Sequence, residues 1–212
     1  MTEQSIHPYS VHPSVAYVQA ILRNLEANTG KDLDGWLKVL KAQGPKDPKA
    51  QVAWLKERGL GGTQAGFVAE RSKGVSGHAF DDTLEGYLAL APGYVERQYG
   101  GKRALLRPLY DALLELALAL GEDAKACPCE TIVPLYRHHV FAQLKPTTLT
   151  RIDLGLALGD PSQVKDPSGR LIETGGFQKK DRLTHRIEVK SPDDIDGLLK
   201  EWLRKAYARD VK

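Results

Sequence analysis

The stretch TRIDLGLAL at residues 150–158 decides the fold of the C-terminal half of this chain. Apolar and polar side chains alternate along it, with Ile152, Leu154 and Leu156 on one face and Arg151 and Asp153 on the other. This period of two is typical of a β-strand that buries one face. The sequence LTHRIEVK at residues 183–190 alternates in the same way and predicts a second strand.

The segments around these two strands extend the sheet and supply helices to cover it. Residues 131–137 and 140–145 are rich in β-forming side chains, and a further edge strand is predicted near residues 170–174. Leucines recur every three or four positions between Leu106 and Leu120, and a last helix follows Ser191-Pro192. We therefore expect an antiparallel sheet backed by two helices on one face, with the other face polar.

The N-terminal half has helical periodicity only. Apolar residues recur at helical spacing in four short runs, which glycines and prolines separate. The predicted fold class is α+β, with a small helical domain at residues 14–77 and an α+β domain at residues 100–209. Residues 78–99 form a helical connector, which Pro92-Gly93 is expected to interrupt.

Composition excludes a disordered or fibrous chain, and missing motifs disfavour hydrolases, NTPases and dehydrogenases. The chain has 212 residues, of which 42% are hydrophobic and 27% charged, and a formal net charge of +3, which is typical of a globular protein. No apolar run reaches the length of a membrane helix, and the first residues lack a secretory signal. We expect a cytoplasmic protein with no membrane partner. Nucleotide-binding loops and a nucleophile elbow are absent, so no cofactor and no catalytic residue are predicted.

Two stretches resemble uncharacterised bacterial domains. Residues 15–69 resemble a small helical domain of unknown function, through the pieces Thr29-Gly30-Lys31, Trp36, Gly44-Pro45-Lys46, Val52-Ala53-Trp54-Leu55 and Gly59-Leu60-Gly61. Residues 102–207 resemble a second domain of unknown function that is commonly joined to the first, through Leu106-Arg107-Pro108-Leu109-Tyr110, residues 150–156, Thr184-His185-Arg186 and Trp202-Leu203. The resemblance implies no established activity, although relatives of the second domain are labelled as transport proteins or occur beside nuclease domains.

The glycine-rich turn of the helical domain is a candidate phosphate-binding site. Gly59, Gly61 and Gly62 lie between two short helices, where backbone N–H groups at a helix N-terminus could face a phosphate. The alternative is a tight turn that only lets two helices pack. Positive and negative side chains balance over residues 1–99, which disfavours a duplex-binding surface.

The polar face of the sheet is the main candidate for ligand binding. Arg151, Asp153, Thr184 and Arg186 are predicted to share this face, where an arginine could hold a carboxylate or phosphate through two hydrogen bonds. The alternative is a solvated face with cross-strand ion pairs, of Arg151 with Glu188 or of Asp153 with Arg186.

Two sets of residues are candidate metal sites, and each has a simpler explanation. The first set resembles the pattern of a nuclease in which two carboxylates hold Mg²⁺, and it consists of Asp153, Glu188 and Lys190. Three scattered residues are a weak match to that pattern. A second set contains Cys127, Cys129, His138 and His139, whose cysteine spacing does not fit a zinc knuckle. Two surface thiols and a polar turn are favoured there, and no metal is predicted. His185 alternates with apolar residues and is expected to face the helices.

These observations predict a non-catalytic binding or accessory protein for an anionic small molecule or nucleic acid. Lys179, Lys180 and Arg182 add positive charge beside the predicted anchors. The runner-up is a divalent-metal phosphodiesterase that uses Asp153, Glu188 and Lys190. A third alternative is an interaction module that dimerises through the exposed sheet face. The sequence does not predict an oligomeric state.

Overall fold

The computed structural model describes residues 7–73 and 83–211, which form two compact units. The helical unit is Val11–Ala89, and the sheet unit joins the N-terminal residues through Ser10 to the chain from Leu90 onward. The predicted junction of the helical domain and the connector, at residues 77 and 78, lies outside the described residues.

The helical unit contains the four predicted helices. They are α1 (Pro13–Thr29), α2 (Leu33–Gln43), α3 (Pro48–Lys56) and α4 (Gly62–Arg71). Aspartates begin two of them, since Asp32 accepts a hydrogen bond from the backbone of Gly35 and Asp47 from that of Lys49. Trp36 lies in the core of the unit, and its indole N–H donates to Thr29 Oγ1 at 2.8 Å.

Among the described residues from Leu84 onward, the chain runs through three α-helices and six strands, besides short 3₁₀ turns. They are α5 (Leu84–Tyr99), α6 (Arg107–Leu118), β1 (Lys125–Ala126), β2 (Val133–Tyr136), β3 (Val140–Pro146), β4 (Ile152–Leu156), β5 (Ile172–Glu173), β6 (His185–Val189) and α7 (Gly197–Arg209). The strands form one antiparallel sheet in the order β1-β2-β3-β4-β6-β5. The predicted α+β class, with helices first and a sheet in the C-terminal half, is confirmed.

The apolar face of the sheet is continuous because the register aligns its buried residues. Leu154 pairs with Leu144 on one side and with Ile187 on the other, and all three are buried. Residues of α6 and α7 complete this core, namely Leu109, Tyr110, Leu113, Leu114, Ala117, Leu199, Trp202, Leu203 and Ala206. The polar side chains between the apolar ones therefore point away from the helices.

Two features differ from the sequence-based prediction. Helix α5 runs through Pro92 instead of stopping there, because Tyr94, Val95 and Tyr99 bury the following turns and packing outweighs one lost backbone hydrogen bond. The short strand β1 was not predicted, and Tyr9 of the N-terminal segment forms a parallel bridge with its Ala126. Within the described ranges, no helix has both the length and the apolar character needed to cross a membrane.

Replacing Leu154 with alanine should destabilise the sheet unit by about 3 kcal/mol, because it leaves a cavity at a fully buried position. The measurement is urea unfolding of the full chain followed by circular dichroism. Leu105→Ala is the matched control, since this leucine is 87% exposed and its loss should change the free energy of unfolding by less than about 0.5 kcal/mol. Equal effects of the two substitutions would contradict the assigned core.

Candidate functional site

The polar face of the sheet carries a closed network of ion pairs. Arg151 Nη1 lies 2.8 Å from Glu188 Oε1, and its Nε lies 2.9 Å from Asp153 Oδ1, although that contact is not aligned as a hydrogen bond. Arg186 Nη1 contacts the same two carboxylates, at 2.9 Å from Glu188 and 3.3 Å from Asp153. The two cross-strand ion pairs that we gave as the alternative to a ligand site, Arg151 with Glu188 and Asp153 with Arg186, are therefore both present.

This network neutralises most of the charge of the arginines. The side chains of Arg151 and Arg186 are only 22% and 26% exposed, and each faces two carboxylates. Exposed Lys145, which is opposite Asp153, and exposed Lys190 leave an excess of positive charge at the rim of the patch. The face is thus weakly cationic, but its strongest anion-binding groups are already paired.

Glu188 is held in its charged form by this network. Its hydrogen bond from Lys190, at 2.9 Å, followed by that from Arg186 and the charge of Arg151, lowers the pKa of Glu188 to about 2. The register places Asp153 directly opposite Glu188, so the three residues of the nuclease-like pattern do lie together. Guanidinium groups contact the carboxylate oxygens that would otherwise coordinate a metal ion, so the arrangement favours ion pairing.

Thr184 does not join this patch. Strand β6 begins at His185, and the side chain of Thr184 is buried, with its hydroxyl 2.9 Å from His185 Nδ1. It lines a pocket at the end of the sheet, where the ladder of β4 and β6 stops at the pair of Leu156 with His185. His185 is buried, as expected for a residue on the helix-covered face.

We call this cavity the sheet-end pocket. It has a volume of about 610 Å³ and lies entirely within the sheet unit. Its lining comes from the residues after β4, the segment before β6, and the last turn of α7 with the residue that follows it: Ala157, Gly159, Phe177, Gln178, Lys180, Asp181, Arg182, Thr184, Ala206, Arg209 and Asp210. Three of these side chains are cationic and two are acidic.

Asp210 fixes one wall of the sheet-end pocket. Its carboxylate is 1% exposed and accepts hydrogen bonds from the backbone N–H groups of His138 and His139, from His139 Nδ1 and from Arg182 Nη2. Burial alone would raise the pKa of Asp210, but the hydrogen bonds from His139 and the charge of Arg182 outweigh it, and the pKa is lowered. The residue after α7 is thereby tied to the β2–β3 turn and to the pocket.

Arg209 and Lys180 supply charge that is not balanced locally. Among residues 7–73 and 83–211, neither side chain has an ion-pair partner. Gly159 has a φ of +78°, and a Cβ built there would collide with the guanidinium of Arg209, so the glycine makes room for that group against the backbone. The carboxylate of Asp181 accepts a hydrogen bond from the backbone N–H of Leu183.

The glycine turn of the helical unit has a different character. Gly59 adopts a φ of +93°, and Gly61 precedes α4 with its N–H bonded to Gln64 Oε1. Gly61 and Gly62 line a cavity of about 320 Å³, whose other lining side chains, from α1 and the start of α4, are uncharged. Gly59 does not line this cavity, and a phosphate there would contact no cationic side chain of that lining.

The cysteine and histidine set does not form a metal centre. Within the described part of the chain, no group of three or more potential ligands is placed to hold a metal ion. Cys127 is buried, which corrects the expectation of two surface thiols, and burial raises its pKa to about 12 and that of Cys129 to about 11. The backbone N–H groups of His138 and His139 donate hydrogen bonds to Asp210.

The sequence analysis named only Lys180, Arg182 and Thr184 among the lining residues, and it missed Gly159, Arg209 and Asp210, which shape and charge the pocket. Lys180 and Arg182 were predicted only to add positive charge beside the anchors on the sheet face. The only feature of the sequence that pointed to this pocket is the pair of Arg209, in the last turn of the last helix, and Asp210 directly after it. Such pairs of a basic and an acidic residue are common at helix ends.

Together these features define a two-unit α+β protein whose antiparallel sheet carries a basic pocket at one end. The comparison with known families agrees with the two units. A model described as "Domain of unknown function (DUF5655)" matches residues 95–209, more than half of the chain, and "Domain of unknown function (DUF4287)" matches residues 18–61. The chain therefore belongs to the DUF5655 family and carries a second uncharacterised domain before it, as the resemblance implied. No curated protein and no solved structure matches it.

Glu188→Gln should change the response of stability to acid. Because the pKa of Glu188 is lowered from 4.5 to about 2 on folding, its charge stabilises the folded state fully above pH 4.5 and loses this effect as the pH falls towards 2. The wild type should be more stable than the variant above pH 4.5, and the difference should shrink towards pH 2. Urea unfolding at each pH measures it.

Glu115→Gln provides the control, since Glu115 is an exposed residue of α6. This variant should follow the wild type at every pH. A stability difference for Glu188→Gln that stays constant from pH 6 to pH 2 would contradict the ionised network.

Proposed function

We propose that this protein is a non-catalytic, cytoplasmic binding protein whose sheet unit holds an anionic ligand in the sheet-end pocket. The observation that carries the proposal is the pair of unbalanced cations, Lys180 and Arg209, in the lining of a cavity. Arg182 stands beside them with part of its guanidinium engaged by Asp210.

The distribution of charge along the chain supports this choice. Residues 1–99 carry as many basic as acidic side chains, so the whole formal net charge of +3 belongs to the remaining residues. Those residues form most of the sheet unit. An anion would thus be attracted to the unit that contains the pocket.

The shape of the pocket supports it further. A concave site excludes water on several sides and strengthens a charge-assisted hydrogen bond relative to one on an open face. Thr184 and Gln178 add a hydroxyl and an amide to the lining, and Ala157 and Ala206 add apolar surface. Such a lining suits a ligand with an anionic head and a less polar body.

The predicted anchors on the sheet face remain an alternative location for the same function. Arg151 and Arg186 would have to exchange their carboxylate partners for the ligand, which costs the free energy of two partly buried ion pairs. A phosphodiesterase that uses Asp153 would require the same exchange, and would be recognised by Mg²⁺-dependent turnover that Asp153→Asn abolishes. Dimerisation through the exposed sheet face would instead be detected by sedimentation.

Pyrophosphate should raise the melting temperature of the full chain, because a ligand that binds only the folded state stabilises it. Arg209→Gln should weaken pyrophosphate binding by about tenfold or more, since it removes a charge-assisted hydrogen bond. Isothermal titration calorimetry gives the dissociation constants. The matched control is Arg204→Gln, an exposed arginine of the same helix outside the pocket lining, which should bind as the wild type does.

A third variant, Arg186→Gln, separates the two locations. Unchanged affinity in this variant supports the pocket. Affinity lost in Arg186→Gln and kept in Arg209→Gln would contradict the pocket and assign the anion to the sheet face. The absence of binding in the wild type would contradict the proposed function altogether.

A further inference from the structure

A second basic cavity adjoins the sheet-end pocket, and we infer that the two together bind a single-stranded oligonucleotide. This inference rests on the proposed function and names its ligand. It follows from an arginine that both cavities share, from the cations that line each of them, and from an exposed aromatic ring.

The second cavity, here called the Trp202 pocket, has a volume of about 380 Å³. Its lining consists of Leu158, Gln163, Val164, Lys165, Trp202, Lys205 and Arg209. Three of these side chains are cationic and none is acidic, whereas Leu158, Val164 and Trp202 provide an apolar floor. Lys205 lies over the indole of Trp202, with Nζ 4.2 Å from the ring centroid, and it also pairs with Glu201 of the same helix at 2.7 Å, an exposed ion pair that contributes little and that an anion can displace.

Arg209 lines both pockets, so its guanidinium lies at the boundary between them. The sequence of cations therefore runs from Lys180 and Arg182, through Arg209, to Lys165 and Lys205. A ligand that fits this order carries several negative charges in a row. One charge meets Arg209, and a bulky group on either side of that charge enters each of the two pockets. Nucleic acid has this pattern, since every phosphate is flanked by two nucleosides.

The lining of the pockets also suits nucleobases. Phe177 is 45% exposed, lines the sheet-end pocket, and lies in the short 3₁₀ turn Phe177–Lys179 just before Lys180. An exposed ring beside a cation is the usual platform on which an unpaired base stacks. Gln178 can offer its amide to the edge of a base in the same cavity.

The ligand must be single-stranded. A base can enter a cavity and stack on a side chain only when it is not held in a duplex. The cations surround two concave pockets and do not form one broad flat face, which is the arrangement expected for a strand and not for a double helix.

The test is fluorescence anisotropy with a fluorescein-labelled oligothymidylate of eight nucleotides and the full chain. We expect it to bind at least about tenfold more tightly than thymidine monophosphate, because a mononucleotide fills only one pocket. Phe177→Ala should weaken oligonucleotide binding by about tenfold, and Phe177→Tyr should restore it, since stacking needs a ring. Oligouridylate of the same length distinguishes an RNA from a DNA preference.

Lys165→Gln separates the oligonucleotide from the simple anion. It should weaken oligonucleotide binding, and should reduce the slope of log affinity against log salt concentration by about 0.7 for one lost phosphate contact. It should leave pyrophosphate binding unchanged, since Lys165 lines only the Trp202 pocket.

Three outcomes would overturn the inference while the proposed function stands, provided that pyrophosphate still binds through Arg209. The octamer could bind no more tightly than the mononucleotide, Phe177→Ala could leave its affinity unchanged, or a duplex of equal length could bind more tightly. If neither pyrophosphate nor the oligonucleotide binds, both the inference and the proposed function are wrong.

Discussion

The buried carboxylate of Asp210 holds the C-terminal end of the sheet unit together. A charge that is 1% exposed is stable only because four donors surround it, two from the backbone of the β2–β3 turn and two from His139 and Arg182. These bonds fix the last turn of α7 against the sheet. Arg209, the residue before it, is therefore placed at the pocket and not left on a frayed helix end.

The two cationic regions of the sheet unit differ in how their charges are satisfied. On the polar face, antiparallel pairing places Asp153 opposite Glu188, and two arginines each contact both carboxylates, so the charges of this face are paired within the unit. In the sheet-end pocket, Arg209 and Lys180 have no acidic partner among the described residues, and the space beside them is open. An incoming anion has no internal ion pair to displace at those two side chains, and this is why we place the ligand there.

The sequence predicted the sheet because its signal is local. The alternation at residues 150–156 needs only neighbouring residues to be recognised, and it identified the buried Leu154 and the polar Asp153 correctly. The same reasoning failed at Thr184, because other parts of the unit cover the end of the sheet there: its side chain is buried, and its hydroxyl lies 2.9 Å from His185 Nδ1. Arg209 lies 25 positions after Thr184, and only the packing of α7 on the sheet brings both to one cavity. Gly159 looked like any other loop glycine, since its role depends on a distant guanidinium.

The most direct test of the account is a titration of ¹⁵N-labelled full-length protein with pyrophosphate, followed through its backbone amide resonances. The account predicts that the largest shifts fall at residues 157–159, 177–184 and 206–210, which surround the sheet-end pocket. Shifts concentrated at residues 151–153 and 186–190, or at the turn of residues 59–63, would place the anion elsewhere and contradict the central claim.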